Sequence, residues 1–133
     1  MNQKTNQLTV IDSETLMDAR LPRRSFCIET LLPEGISMLG GAPKIGKSWM
    51  VLDIGIHVAK GLPIWNLPTK GGTVLYLALE DTLARIQERL YKLTEDAPDN
   101  LFFATASGTL ADELCPQIEN FLSNHADTVL III

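Results

Sequence analysis

Ile36-Ser37-Met38-Leu39-Gly40-Gly41-Ala42-Pro43-Lys44-Ile45-Gly46-Lys47-Ser48-Trp49 is the stretch of this 133-residue chain whose reading decides the fold. From Gly41 to Ser48 it has the order Gly, four residues, Gly-Lys-Ser. A short apolar run, Ile36 to Leu39, leads in, and an apolar-rich segment with helical spacing, Trp49 to Ala59, leads out. Strand, glycine loop and helix in that order predict a phosphate-binding loop.

Each position has a physical reason. Gly41 and Gly46 permit backbone angles and a close approach that a side chain blocks, so the N–H groups of Gly41, Ala42, Lys44, Ile45, Gly46, Lys47, Ser48 and Trp49 can turn around a polyphosphate, with Pro43 contributing no donor. Lys47 brings an ammonium to the β and γ phosphates. The Ser48 hydroxyl suits a Mg2+ ligand, and the helix starting there adds its positive dipole end. Lys44 reads either as a further phosphate contact or as a solvated loop lysine. Average residue usage makes a chance match of four constrained positions in a chain this long an event of about a few in a thousand.

Composition bounds the rest. With 46% apolar and 20% charged residues, the chain has the profile of one globular unit. No apolar stretch reaches membrane-spanning length, and Met1 to Val10 lacks a basic-then-apolar leader, so a cytoplasmic protein is expected. Cys27 and Cys115 lie far apart without metal-ligand spacing and read as reduced, structural thiols. A net charge of −5 argues against wrapping nucleic acid by bulk electrostatics. The cluster Arg20, Arg23 and Arg24 beside Pro22 reads as a solvated linker, with a nucleic-acid face as the alternative.

Residues 1–34 read as an N-terminal extension with one weak helix around Glu14 to Ala19, and the core is expected to begin near Ile36. The first core helix should run from Lys47 to Lys60, stopped by Gly61 and Pro63. In the crossover 62–72, Trp65 reads as an apolar anchor, with base stacking as the alternative. Thr73 to Leu79 is continuously apolar after its first residue and predicts a strand buried on both faces. Glu80 and Asp81 follow abruptly, then a helix with Leu83, Ile86, Leu90 and Leu93 on one face, capped by Asp81 or Thr82. Leu101 to Thr105 predicts a strand. Leu114, Ile118, Phe121 and Leu122 predict a helix with Pro116 in its first turn, and Thr128 to Ile133 a buried strand. Alternating strands and helices specify a parallel α/β sheet.

Two motifs together, Lys44-Ile45-Gly46-Lys47-Ser48-Trp49 and Leu75-Tyr76-Leu77-Ala78-Leu79-Glu80-Asp81 followed by a helix bearing Arg85 and Arg89, resemble the RecA-like ATPases of the AAA_25 or RepA-helicase type. Such proteins are widespread in phages, plasmids and other mobile elements. The resemblance covers residues 31–133 and implies a three-layer P-loop NTPase fold, with 35–133 the N-terminal part of the ATPase domain. It implies ATP and Mg2+ as ligands, a homo-oligomeric ring and single-stranded DNA as partner. It also gives Glu80 the role of catalytic carboxylate beside Lys47. Independently, a carboxylate at the carboxyl end of a parallel strand lies at the edge that also carries phosphate loops, where it can orient an attacking water. Asp81 competes for the role but suits a helix cap, and the alternative for Glu80 is a solvated charge that merely closes the strand.

The resemblance further implies an aspartate holding Mg2+ directly after the strand that ends at Ile133. Asp127 precedes that strand and is expected at its opposite end. The expectation is of a truncated piece of a longer protein, whose remaining part carries DNA contacts, an arginine finger and the strands that flank Ile36–Leu39. Functionally, a motor ATPase acting on DNA stands against an ATP-binding regulatory or assembly module. A small-molecule kinase ranks third, for want of an acceptor site or an arginine-bearing lid.

Overall fold

A computed structural model describes residues 8–105 and 113–133. Three strands form a parallel sheet in the order β4 (Leu101–Ala104), β3 (Thr73–Leu77), β5 (Thr128–Ile132). Helix α2 (Lys47–Lys60) lies across it, α3 (Leu83–Leu93) follows β3, and α4 (Cys115–Asn124) precedes β5. The main apolar core lies between the sheet, α2 and α3, and a smaller one joins Leu75, Leu77 and Leu114 to Ile118 and Phe121 of α4. The parallel α/β class expected from the alternation of elements is the class observed.

The limits of α2 coincide with those read from the sequence, for a local reason. Gly46 at φ 100° begins the helix and Gly61 at φ 65° ends it. The N–H groups of Gly61 and Leu62 return to the carbonyls of Val58 and His57 at 3.1 and 2.9 Å, closing the last turn. Leu52, Ile56, Val58 and Ala59 turn inward. Gly55 sits at the closest approach, where an added Cβ would lie 3.5 Å from both Ile132 and Leu101 and 3.8 Å from Val74, one residue from each strand. At the far end Asn100 donates to the carbonyls of Ala59 and Gly72 at 2.8 and 3.1 Å, and Lys60 donates to Thr94 and Asp96, both at 2.9 Å. The carboxyl end of α2 is thereby pinned to the amino-terminal edge of the sheet.

β3 is buried at every position, as its unbroken apolar run requires. It ends at Leu77, two residues before the expected limit, and only Ala78 adds a further rung, to Ala104. β5 is half-buried throughout, not buried. Its outer edge has no partner strand among the described residues. The expected strand Ile36–Leu39 does not form. Ile36 and Met38 stand fully exposed, and Ile36 lines a groove of about 570 Å³ that β5 also lines. An isolated extended segment gains nothing from β-propensity without a neighbour to share its N–H and C=O groups.

Three further differences concern burial. The core begins before Ile36. A hairpin of β1 (Phe26–Ile28) and β2 (Leu32–Pro33) inserts Cys27 and Ile28, the latter wholly inaccessible. Burial raises the Cys27 thiol above its ordinary pKa despite the charge of Lys70, and both cysteines are free. Upstream, α1 (Ser13–Asp18), capped by Asp12, buries nothing. Trp65 is not an anchor: it is 53% exposed in a left-handed turn at φ 48°, and Ile64 beside it fills the core instead. In α3, Ile86 is buried and Leu90 and Leu93 pack against the core, whereas Leu83 in the first turn faces solvent.

Two glycines separate tolerance from strain. A Cβ on Gly55 makes only ordinary contacts, whereas Gly72, at φ 153°, would bring one within 2.6 Å of the Asp127 carbonyl. In chemical denaturation Gly55→Ala should be neutral or stabilising by up to about 1 kcal/mol through helix propensity. Gly72→Ala should lose roughly 2 kcal/mol or more through backbone strain and overlap.

Candidate functional site

The loop 41–46 is held by its own geometry. Lys44 and Gly46 occupy the left-handed region, at φ 61° and 100°. A Cβ on Gly41 would make only ordinary contacts, with Ile45 at 3.4 Å and the Lys47 stem at 3.5 Å, so the turn is set by Lys44 and Gly46. Lys47 folds back over this curl and donates to the carbonyls of Gly41 and, at 3.0 Å, Ala42. These bonds draw its ammonium onto the loop itself.

The start of α2 is chemically distinct from those of α1 and α3. There, Asp12 and Thr82 accept from the third N–H of the helix. Gly46 supplies no side chain, so the first-turn N–H groups of α2 have no such cap. A helix end of this kind favours an anion through both its free donors and its dipole. Ser48, exposed in the same turn, makes no side-chain hydrogen bond among the described residues. The residues at the loop fit a polyphosphate and a hard cation: a backbone curl, helix-start donors without a side-chain cap, one ammonium held only by loop carbonyls and one free hydroxyl. Ala42, Pro43 and Ile45 complete the exposed loop.

Opposite this loop, β3 gives way to a bend at 79–81. Glu80 is exposed there, and its carboxylate makes no hydrogen bond among the described residues. Asp81 has a different fate. It accepts from the N–H of Thr82 at 3.0 Å and from the guanidinium of Arg89, with both side chains of the ion pair mostly covered (16% and 20% exposed). Partial burial pushes its pKa up, but the bonds from Arg89 and Thr82 and the charges of Arg89 and Arg85 outweigh that, holding the carboxyl below its ordinary range. The cap is Thr82, whose hydroxyl accepts from the N–H of Arg85 at 3.3 Å. Asp81 is thus engaged in structure while Glu80 is free.

The loop and Glu80 share one edge of the sheet. Because the carboxyl end of α2 is tied to Gly72 and Asn100, which precede β3 and β4, its amino end lies toward the carboxyl ends of the strands. Fourteen helical residues span about 21 Å, ample to cross strands of about 17 Å. Arg89 makes the connection directly: bonded to Asp81, it also lies over the ring of Trp49, with its Cζ 5.7 Å from the centroid. Asp127, bonded to the hydroxyl and N–H of Thr73 at 2.8 and 3.1 Å, is at the opposite edge, as expected. The Arg89 contact was not legible in sequence, although the eight-residue interval from Asp81 is compatible with it. Arg20, Arg23 and Arg24 are exposed and remote in sequence from both motifs.

Among the described residues no helix is long and apolar enough to cross a membrane, and no cluster of His, Cys, Asp and Glu could hold a metal ion. No solved structure matches the chain. Among curated proteins it is similar to a DNA repair protein RadA from Campylobacter jejuni, 34% identical over 92 residues, which is 69% of this chain and 16% of the relative. The chain thus spans about one sixth of that protein's length. The family model AAA_25, described as an AAA domain, matches residues 4–133. With a glycine loop opening a helix against a parallel sheet, the chain belongs to the AAA_25 family of AAA domains, of the RecA-like P-loop type.

Proposed function

We propose that this domain binds ATP with Mg2+ in the loop Gly41–Ser48, and that in its parent protein the nucleotide is hydrolysed to drive work on DNA. The observation that carries the reading is the uncapped start of α2 behind a left-handed glycine, with Lys47 beside it and an unengaged carboxylate, Glu80, on the same sheet edge. Lys47 exchanges the carbonyls of Gly41 and Ala42 for phosphate oxygens, a stronger partner because the bond joins opposite charges. Lys44 and Trp49 flank the phosphate contacts. Ser48 offers its hydroxyl to Mg2+, which neutralises phosphate charge when bound.

Glu80 orients and deprotonates the attacking water, the role open to a free carboxylate and closed to Asp81. Similarity to a DNA repair protein supports DNA as the partner, and the motor of a mobile-element replication or recombination protein, assembled as a homo-oligomeric ring, is the finer reading. A second reading, an ATP-binding regulatory or assembly module, draws on the exposure of Glu80. The two part company at Glu80→Gln. The motor reading places the protein in the cytoplasm, and the ATPase domain takes in the hairpin 26–33 that packs into its core.

Two measurements test these roles. By calorimetry, Lys47→Ala should weaken Mg·ATP binding roughly ten- to a hundredfold, the worth of charge-assisted bonds of about 1.5–3 kcal/mol. In the full-length parent, with single-stranded DNA, Glu80→Gln should keep ATP affinity and slow turnover by roughly two to four orders of magnitude. Unchanged turnover in that variant would assign the protein to the regulatory class. Chelating Mg2+ should also weaken ATP binding in the wild type and have less effect in Ser48→Ala, whose metal ligand is already gone.

A further inference from the structure

Arg89 is the residue in which the two halves of the site meet, and nothing in the loop or in Glu80 itself accounts for it. Its guanidinium bonds to Asp81, immediately after Glu80, and lies within cation–π range of Trp49, immediately after Ser48, with its Cζ 5.7 Å from the ring centroid. The side chain is four-fifths covered, so the geometry is held by packing and not by a wandering surface charge. Lys92, one turn further along α3, also lies over the Trp49 ring at 5.8 Å, but it is exposed and makes no bond to Asp81.

We propose that Arg89 is a positioning residue that couples occupancy of the phosphate loop to the orientation of the turn carrying Glu80, through Trp49 on one side and Asp81 on the other. The inference rests on the nucleotide-site reading above. Its physical basis is a guanidinium that donates to a carboxylate while its charge lies within cation–π range of an aromatic ring, a site where Lys92 reaches the ring but not the carboxylate. When Lys47 leaves the loop carbonyls for phosphate, any adjustment of the first turn of α2 moves the Trp49 ring. Arg89 follows the ring and carries Asp81 with it. The bend 79–81, bounded by the last rung at Ala78 and the Thr82 cap, is a short segment with no ladder of its own to resist. Arg89 touches neither nucleotide nor water in this scheme.

Hydrogen exchange of the whole chain with and without a nonhydrolysable Mg·ATP analogue separates the possibilities. In the wild type the analogue should slow exchange at 41–48, and should slow the amides of 79–82 by at least about tenfold. In Arg89→Ala the loop should still be protected while the effect at 79–82 falls below about twofold. Asp81→Asn, nearly isosteric and able to keep the Thr82 bond, should behave like Arg89→Ala and serves if the alanine variant does not fold. Lys92→Ala, which removes only the second cation over Trp49, should behave as wild type. Protection at 79–82 that persists in Arg89→Ala or Asp81→Asn, or is missing from the wild type while the loop is protected, would overturn the coupling. Absence of protection at 41–48 in the wild type would remove the nucleotide-site reading and the coupling with it.

Discussion

The contact of α2 with all three strands at Gly55 is the constraint from which the rest follows. At that point the methyl groups of Ile132, Leu101 and Val74 face the helix backbone and leave room for no more than a small side chain. That approach buries Leu52, Ile56 and Val58, each worth about 1.5–3 kcal/mol when removed from water. Asn100 and Lys60 fix its carboxyl end. Its amino end then has one place to lie, at the edge where β3 delivers Glu80. The site is a consequence of helix-on-sheet packing before it is a matter of motif.

The charges near the site divide between structure and availability. Asp81 and Arg89 are covered and paired, and Thr82 uses its hydroxyl as a cap. Glu80 and Ser48 are exposed without side-chain partners among the described residues. Lys47 stands between these classes, bonded only to carbonyls that a phosphate can replace. A chain that left all of these groups solvated would have to order them afresh on binding, at a cost in side-chain entropy. Here Asp81, Arg89 and Thr82 are ordered already, while Glu80 and Ser48 keep their polar atoms free.

Residues that speak through local rules were legible. Gly46 and Gly61 bound α2, the unbroken apolar run made β3 a central strand, and Pro116 fell in the first turn of α4. Residues whose fate depends on a distant partner were misread. Ile36 to Leu39 has the composition of a strand but no neighbour, and so remains exposed. Phe26 to Ile28 sits among prolines and arginines yet pairs with Leu32–Pro33 and enters the core. Trp65 loses the interior to Ile64 because the turn at Trp65 and Asn66, both left-handed, directs one side chain inward and the other out.

Local sequence alone settles the glycine loop, the helix it opens and the parallel α/β class, and makes Glu80 a candidate. The loop and its helix rest on backbone freedom and periodicity within a dozen or so residues, and the class rests on the alternation of such segments along the chain. Only the tertiary structure decided that Asp81 is engaged and Glu80 free, that the two motifs share an edge, and that Arg89 bridges them through Trp49. Those facts depend on which side chains meet across the interface of α2, β3 and α3, and no spacing along one segment encodes a meeting between three.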